Sequence, residues 1–160
     1  MKLLLNILKT NFDKKFIIKF IGMGEIPEDF KPYLNKIKFI QNLNFNDYHK
    51  QFVDVYAMLP LTLKKTNIQY YERKLTSSIN YIRGYKLSAI IDKDLQDIYK
   101  LENVYTYTNE KDIIQAFQKS LDNFYQVYKK KDEIINNNEI DDNEKKICEE
   151  IKKILSKNNN

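Results

Sequence analysis

The chain has 160 residues and a formal net charge of +5, and its 42% hydrophobic and 31% charged residues are typical of one globular domain. Its single cysteine, Cys148, excludes an intrachain disulfide and a cysteine-based metal cluster, and it favours a reducing, cytoplasmic setting. Arg73 and Arg83 are the only arginines and the lysines are scattered, so specific nucleic-acid binding is disfavoured, and no apolar run is long enough to predict a transmembrane segment.

The apolar residues of the first half alternate between helical and strand-like spacing. The elements predicted there are an opening helix with Leu4, Leu5, Leu8 and Phe12 on one face, a strand over 16–21, a helix over 26–34, a strand over 37–40, a helix over 48–52 and a strand over 55–59. Asn44 or Asn46 is the predicted cap of the helix over 48–52.

A long loop precedes the second half, where the same alternation continues. The elements predicted there are a helix over 75–85, a strand over 87–91, a short helix over 95–99, a strand over 104–107 and a closing helix from a cap at Asn109 through Phe124. This order predicts an α/β fold, with a Rossmann-like, mostly parallel sheet covered by helices, over residues 1–128.

Residues 129–160 are predicted to be a C-terminal extension, with a polar connector followed by an amphipathic helix. Its apolar stripe consists of Ile140, Ile147, Ile151 and Leu155, and Cys148 lies on the apolar side. The stripe is too thin to fold alone, so we expect it either to dock on another surface or to be a marginal helix.

The candidate binding site centres on Thr76, Ser77 and Ser78, which stand where a helix begins at the carboxyl end of a buried strand. Open α/β sheets bind phosphates and nucleotides at such places, because backbone N–H groups and the positive helix end face the ligand. Lys74 would add a point charge. The alternative interpretation is that the three hydroxyls only cap the helix.

Three further features carry weaker signals. Gly22 and Gly24 form a Gly-x-Gly turn after a strand, and a plain turn is the alternative to a phosphate cradle. His49 is predicted to be a solvated side chain rather than a catalytic base. Tyr70 and Tyr71 fall in the long loop, where one of them could stack on a nucleotide base or a sugar.

The order of the segments resembles the donor-binding lobe of GT-B-fold glycosyltransferases of the glycosyl transferases group 1 type. The resemblance covers about residues 3–125 and is carried by LLLNILKTNFDKKFIIKFIGMG, KIKFIQNLNFNDYHKQFVDVYAMLP and ERKLTSSINYIRGYKLSAIID. It implies a lobe that binds a nucleoside-diphosphate sugar as substrate for hexose transfer, without a metal or another cofactor. The implied roles are Thr76, Ser77, Ser78 and Lys74 on the diphosphate, Asn80 on the ribose, Glu72 near the sugar as the catalytic group, Gln41, Asn42 and Leu43 near the base, and Gly22 and Gly24 in the turn after the strand over 16–21.

In this family, the lobe's first strand and the acceptor-binding lobe would both precede the segment that begins at residue 3. This sequence departs from the family in that it contains neither of them. The resemblance therefore implies a second chain that supplies the acceptor lobe, and weak or no turnover by this chain alone. Because the first strand is central in a doubly wound sheet, its absence would leave two neighbouring strands without a partner. The sheet could rearrange, a partner could supply the strand, or the sequence could be a fragment. The alternative function is a non-catalytic, Rossmann-like protein-interaction module.

Overall fold

The computed structural model describes residues 2–22, 24–65 and 67–136, with side chains described through residue 126. The helices are α1 (Lys2–Lys9), a 3-10 helix (Glu28–Tyr33), α2 (Phe45–Lys50), α3 (Gln69–Glu72), α4 (Ser77–Gly84), α5 (Lys93–Tyr99) and α6 (Asp112–Asn136). The strands are β1 (Ile18–Gly22), β2 (Ile37–Gln41), β3 (Ala57–Met58), β4 (Ser88–Asp92) and β5 (Val104–Tyr107).

The chain divides into two compact units, and the boundary lies between Asp122 and Asn123. All five strands lie in the first unit, and α6 begins there and continues to Asn136, past residue 128 where the sequence predicts the first domain to end. The predicted stripe of the tail and Cys148 lie outside the described residues.

The strands confirm the predicted α/β fold with parallel pairing, but they form two sheets. Sheet A contains β1 and β2, and sheet B has the order β3-β4-β5. Every pair is parallel, with Ile18 opposite Ile37 in sheet A and Ala57 opposite Ser88 in sheet B. Within the described ranges, β1 pairs only with β2 and β3 pairs only with β4, so each has one edge without a partner strand. Such unpaired edges are what a doubly wound sheet without its first strand would show.

The backbone hydrogen bonds show which groups face these two edges. Ile18 N donates to Lys36 O at 2.9 Å, and Ser88 N donates to Tyr56 O at 3.1 Å. Because the N–H and C=O of one residue in a parallel strand point to the same side and alternate along the strand, the backbone groups of Ile21 and Ala57 point away from their paired strands.

Helices cover both faces of sheet B, and all five residues of its central strand β4 are buried, with Ala89, Ile90 and Ile91 as its apolar centre. Ala89 and Ile91 are buried in one cluster with residues of α4 and α5, whereas Ile90 is buried in another with residues of α1 and α6. A continuous apolar strand is typical of a parallel sheet that is buried on both sides.

Helix α1 packs on residues of both sheets. Leu3 and Ile7 belong to the cluster that contains Ile90 of β4, with Ile18 of β1 packed against it. On the neighbouring side of the helix, Leu4 and Leu8 belong to a cluster that contains residues of the 3-10 helix and β2. The helix therefore links sheets A and B through buried side chains.

The local differences from the predicted elements have physical causes. The helix predicted over 26–34 is a 3-10 helix instead, and Pro32 inside it disfavours an α-helix because its ring would clash with the carbonyl four residues earlier. The predicted strand over 55–59 is reduced to two paired residues in β3. Of the two predicted caps of α2, Asn44 is the one used, with its Oδ1 accepting from Asp47 N at 2.9 Å, so the helix begins at Phe45 rather than at residue 48. Before α6, Asn109 Oδ1 accepts from Asp112 N at 3.1 Å, as predicted.

The alternation of backbone groups gives a test of the split sheet. We expect the amide hydrogens of Ile21 and Ala57 to exchange with solvent faster than those of their neighbours Phe20 and Met58, which point toward a paired strand. Native-state hydrogen exchange followed by NMR measures the four rates. Equal protection of Ile21 and Phe20 would contradict an open edge on β1.

Candidate functional site

The predicted residues of sheet A lie at the carboxyl ends of its strands. Gly22 ends β1 opposite Gln41, so the turn with Gly24 and the turn with Asn42 and Leu43 follow two paired strands on the same edge. Gly24 has a φ of +106° and Asn42 a φ of 53°, conformations that glycine and asparagine adopt at low cost. A Cβ atom added to Gly22 or Gly24 would meet nothing within 4 Å, so the turn is open on this side.

The predicted phosphate site of sheet B lies at the first turn of α4. Thr76 is the N-cap, and its side chain accepts a hydrogen bond from Ser78 N at 3.3 Å. Ile79 N donates to Thr76 O at 3.1 Å. Capping therefore occupies the Thr76 hydroxyl and two of the first amides, whereas Ser77 is exposed and stands at the positive end of the helix.

The other predicted donor residues of this region are exposed. Asn80 follows Ser77 by three positions, so both lie on the solvent face of α4. Glu72 is the last residue of α3, and the backbone turns sharply after it, since Lys74 N and Arg73 N both donate to Gln69 O.

The backbone of Lys74 is fixed against α5. Tyr99 Oη donates to Lys74 O at 3.1 Å, while the Lys74 side chain is exposed to solvent. Helix α4 leads to the amino end of β4, so its first turn lies near the carboxyl end of sheet B. The segment from Glu72 to Asn80 can therefore present a carboxylate, an ammonium group and an amide around the start of α4.

Tyr71 does not have the exposed position that the sequence predicts for it. Its side chain is 8% exposed and packs in the cluster of α4, α5 and β4. Its hydroxyl donates to Thr62 O at 3.3 Å. Tyr70 packs against the same cluster, so neither ring lies freely in a loop, because the segment forms the short helix α3 and buries its aromatic side.

A polar group that the sequence reasoning missed lies at the carboxyl end of β4. Asp92 is buried and caps α5, with its Oδ1 accepting from Asp94 N at 3.0 Å and from Leu95 N at 3.4 Å. Burial raises the pKa of Asp92, and burial together with the nearby Asp92 charge raises the pKa values of Tyr71 and Tyr107. An acid directly after the apolar run of β4 was the available signal for this cap.

His49 is packed rather than solvated, which corrects the prediction made from the sequence. Its Nδ1 shares a hydrogen bond with the hydroxyl of Tyr85, and its ring contacts Phe45 and Tyr81. The prediction failed because it treated α2 as a surface helix and did not take into account that α4 packs on it.

The contact between α2 and α4 is an aromatic array, defined here as Phe45, Tyr48, His49, Phe52, Tyr81 and Tyr85. Phe52 stacks on Tyr81 and on Tyr85, with ring centroids 5.1 and 4.9 Å apart. Burial and a hydrogen bond with Tyr81 raise the pKa of Tyr48 to about 12. The array fixes α2, which follows sheet A, to α4, which belongs to sheet B.

The chain matches no protein-family model, no curated protein and no solved structure. Over the described ranges, no three His, Cys, Asp or Glu residues are grouped in a way that could hold a metal ion. The helices of the same ranges all lack the combination of length and apolar character required to cross a bilayer.

The buried cap of α5 gives a pH-dependent prediction. Because burial raises the pKa of Asp92 above about 3.9, its ordinary value in an unfolded chain, the folded state favours the neutral acid. Ionisation of Asp92 therefore lowers the free energy of unfolding as the pH rises from about 4 through the raised pKa. Asp92→Asn keeps an oxygen for the cap and removes this loss, so we expect its stability relative to wild type to improve from pH 4 to pH 7.

Urea denaturation of both proteins at the two pH values measures the difference, and the other carboxylates cancel because both proteins contain them. Asp92→Ala serves as the control for the cap, with an expected loss of about 1 kcal/mol. A stability difference between wild type and Asp92→Asn that is the same at both pH values would contradict the raised pKa.

Proposed function

We propose that this chain is the donor-binding lobe of a glycosyltransferase, which binds a nucleoside-diphosphate sugar for hexose transfer. The observation that supports this proposal is the strand order. The chain forms β1 and β2 in one sheet and then β3, β4 and β5 in another, an arrangement that fits a doubly wound sheet lacking its first strand. In such sheets, nucleotides bind outside the carboxyl ends of the strands, where the candidate residues lie.

The proposed roles follow from position and chemistry. The exposed Ser77 at the start of α4 and the ammonium group of Lys74 would hold the diphosphate, while Thr76 positions them by capping the helix. Asn80, on the same face of α4 as Ser77, would hydrogen-bond the ribose, and Glu72 would face the sugar. The turns after β1 and β2 would complete the site, through Gly22, Gly24, Asn42 and Leu43.

The reaction would break the bond between the anomeric carbon of the hexose and the diphosphate and form a bond from that carbon to the oxygen of an acceptor hydroxyl, whose proton would pass to the released nucleoside diphosphate or to solvent. The positive end of α4 and Lys74 would stabilise the negative charge on the leaving diphosphate. A second chain or lobe would hold the acceptor, so we expect donor binding by this chain alone with weak or no turnover.

The second candidate function is a non-catalytic protein-interaction module. It is favoured by the edges of β1 and β3, which pair with no strand among the described residues, because unpaired edges are surfaces on which another chain can add a strand. This candidate predicts a folded protein that does not bind nucleotides.

Calorimetric titration with UDP, GDP, UDP-glucose and GDP-mannose tests the donor site. The informative variant is Ser77→Glu, because an acidic residue in the first turn stabilises a helix and at the same time repels a diphosphate. We expect the variant to keep its stability and to bind the preferred ligand at least about tenfold more weakly than wild type.

Gln115→Glu is the matched control, since it adds the same charge at an exposed position of α6, which packs on the opposite face of sheet B from α4. It should bind like wild type. Absence of binding by folded wild-type protein at millimolar ligand would refute the donor site and favour the interaction module. Equal weakening by both variants would show that binding depends on net charge alone.

A further inference from the structure

Phe45 is an exposed aromatic ring at the edge of the proposed site. Its side chain is 77% exposed. Among the exposed large hydrophobic residues in the described part of the chain, it is the only one with an aromatic ring. It is the first residue of α2 and follows β2 after a short turn, so it lies near the carboxyl end of sheet A. Leaving a ring of this size in water forgoes the free energy that burial would contribute.

The ring is held in place from one side. Its centroid lies 4.3 Å from that of His49, with the two planes at 61°. His49 is itself fixed by the hydrogen bond to Tyr85 in α4, and Asn44 caps the start of α2 through Asp47 N. Phe45 is therefore an ordered, solvent-exposed surface on a fixed helix, rather than a side chain on a mobile loop.

We propose that Phe45 is the stacking surface for the base of the bound nucleotide. The inference rests on the proposed function and deepens it by assigning the base to one ring. A flat aromatic face exposed to solvent suits a nucleobase, which stacks on aromatic side chains in many nucleotide-binding proteins. Gln41 and Asn42, both exposed in the adjoining turn, offer amide donors and acceptors for the polar edge of a base.

The position of α4 fits this assignment. The aromatic array joins α2 to α4 through side chains, with the ring centroids of Tyr48 and Tyr81 5.5 Å apart. Both helices run from the carboxyl side of a strand toward the amino side of the next, so Phe45 and Ser77 stand at the starts of neighbouring helices. One nucleoside diphosphate could therefore place its base on Phe45 and its phosphates at Ser77.

The chain contains no tryptophan, so Phe45→Trp introduces a single fluorescent reporter at the proposed contact. We expect UDP or GDP to quench its emission in a saturable manner and inorganic pyrophosphate, which has no base, to leave it unchanged. Val53→Trp is the matched control, because Val53 follows α2 and is 84% exposed. Its emission should respond to neither ligand.

Phe45→Ala provides the second measurement, and the exposure of Phe45 means that truncation removes little buried surface. Calorimetry should show its affinity for UDP or GDP reduced by about fivefold or more, with affinity for pyrophosphate retained. If wild type binds nucleotides but Phe45→Trp is not quenched and Phe45→Ala binds equally well, the base assignment is wrong while the donor site survives. If wild type binds neither nucleotides nor pyrophosphate, both the assignment and the proposed function fail.

Discussion

The packing of α1 on residues of both sheets is the constraint on which the rest of the first unit depends. Sheets A and B share no strand pairing among the described residues, so side chains must hold them together. Leu3 and Ile7 are buried with residues of sheet B, and Leu4 and Leu8 are buried with residues of sheet A. Outside these two clusters, Lys19 of β1 forms an ion pair with Asp54, and its Nζ donates a hydrogen bond to Gln51 O at 3.1 Å. Burial of the four apolar side chains of α1 contributes on the order of 1.5–3 kcal/mol each. The ion pair between Lys19 and Asp54 contributes less, because Asp54 is exposed to solvent.

The link between the sheets also bears on the geometry of the proposed site. Each sheet alone would offer only part of the proposed nucleotide site, with Gly22, Gly24 and Asn42 at the end of sheet A and Ser77 at the end of sheet B. The aromatic array between α2 and α4 sets the relative position of these parts. A ligand that bridges both edges would therefore stabilise the contact between the sheets, since binding to the folded form alone shifts the folding equilibrium.

Sequence reasoning located most of the elements but could not determine which faces would meet. The apolar run of β4 and the caps at Asn44 and Asn109 act locally, so the alternating fold and these helix starts were predictable. His49 and Tyr71 were misplaced because their burial depends on α4, which is distant in sequence, and on α3, which is only four residues long. The cap at Asp92 was missed, although its signal is local. The division into two sheets depends on which strands pair over long sequence distances, and the pattern of single residues does not contain that information.

Amide chemical shifts recorded by NMR during titration with UDP or GDP would show whether a nucleotide binds across the carboxyl ends of both sheets, as we propose. We expect saturable shift changes at Gly22, Asn42 and Ser77, at the carboxyl ends of the strands, with little change at the amino ends near Gly84 and Lys100. Changes confined to the amino ends, or no changes in a well-dispersed spectrum at millimolar ligand, would contradict it.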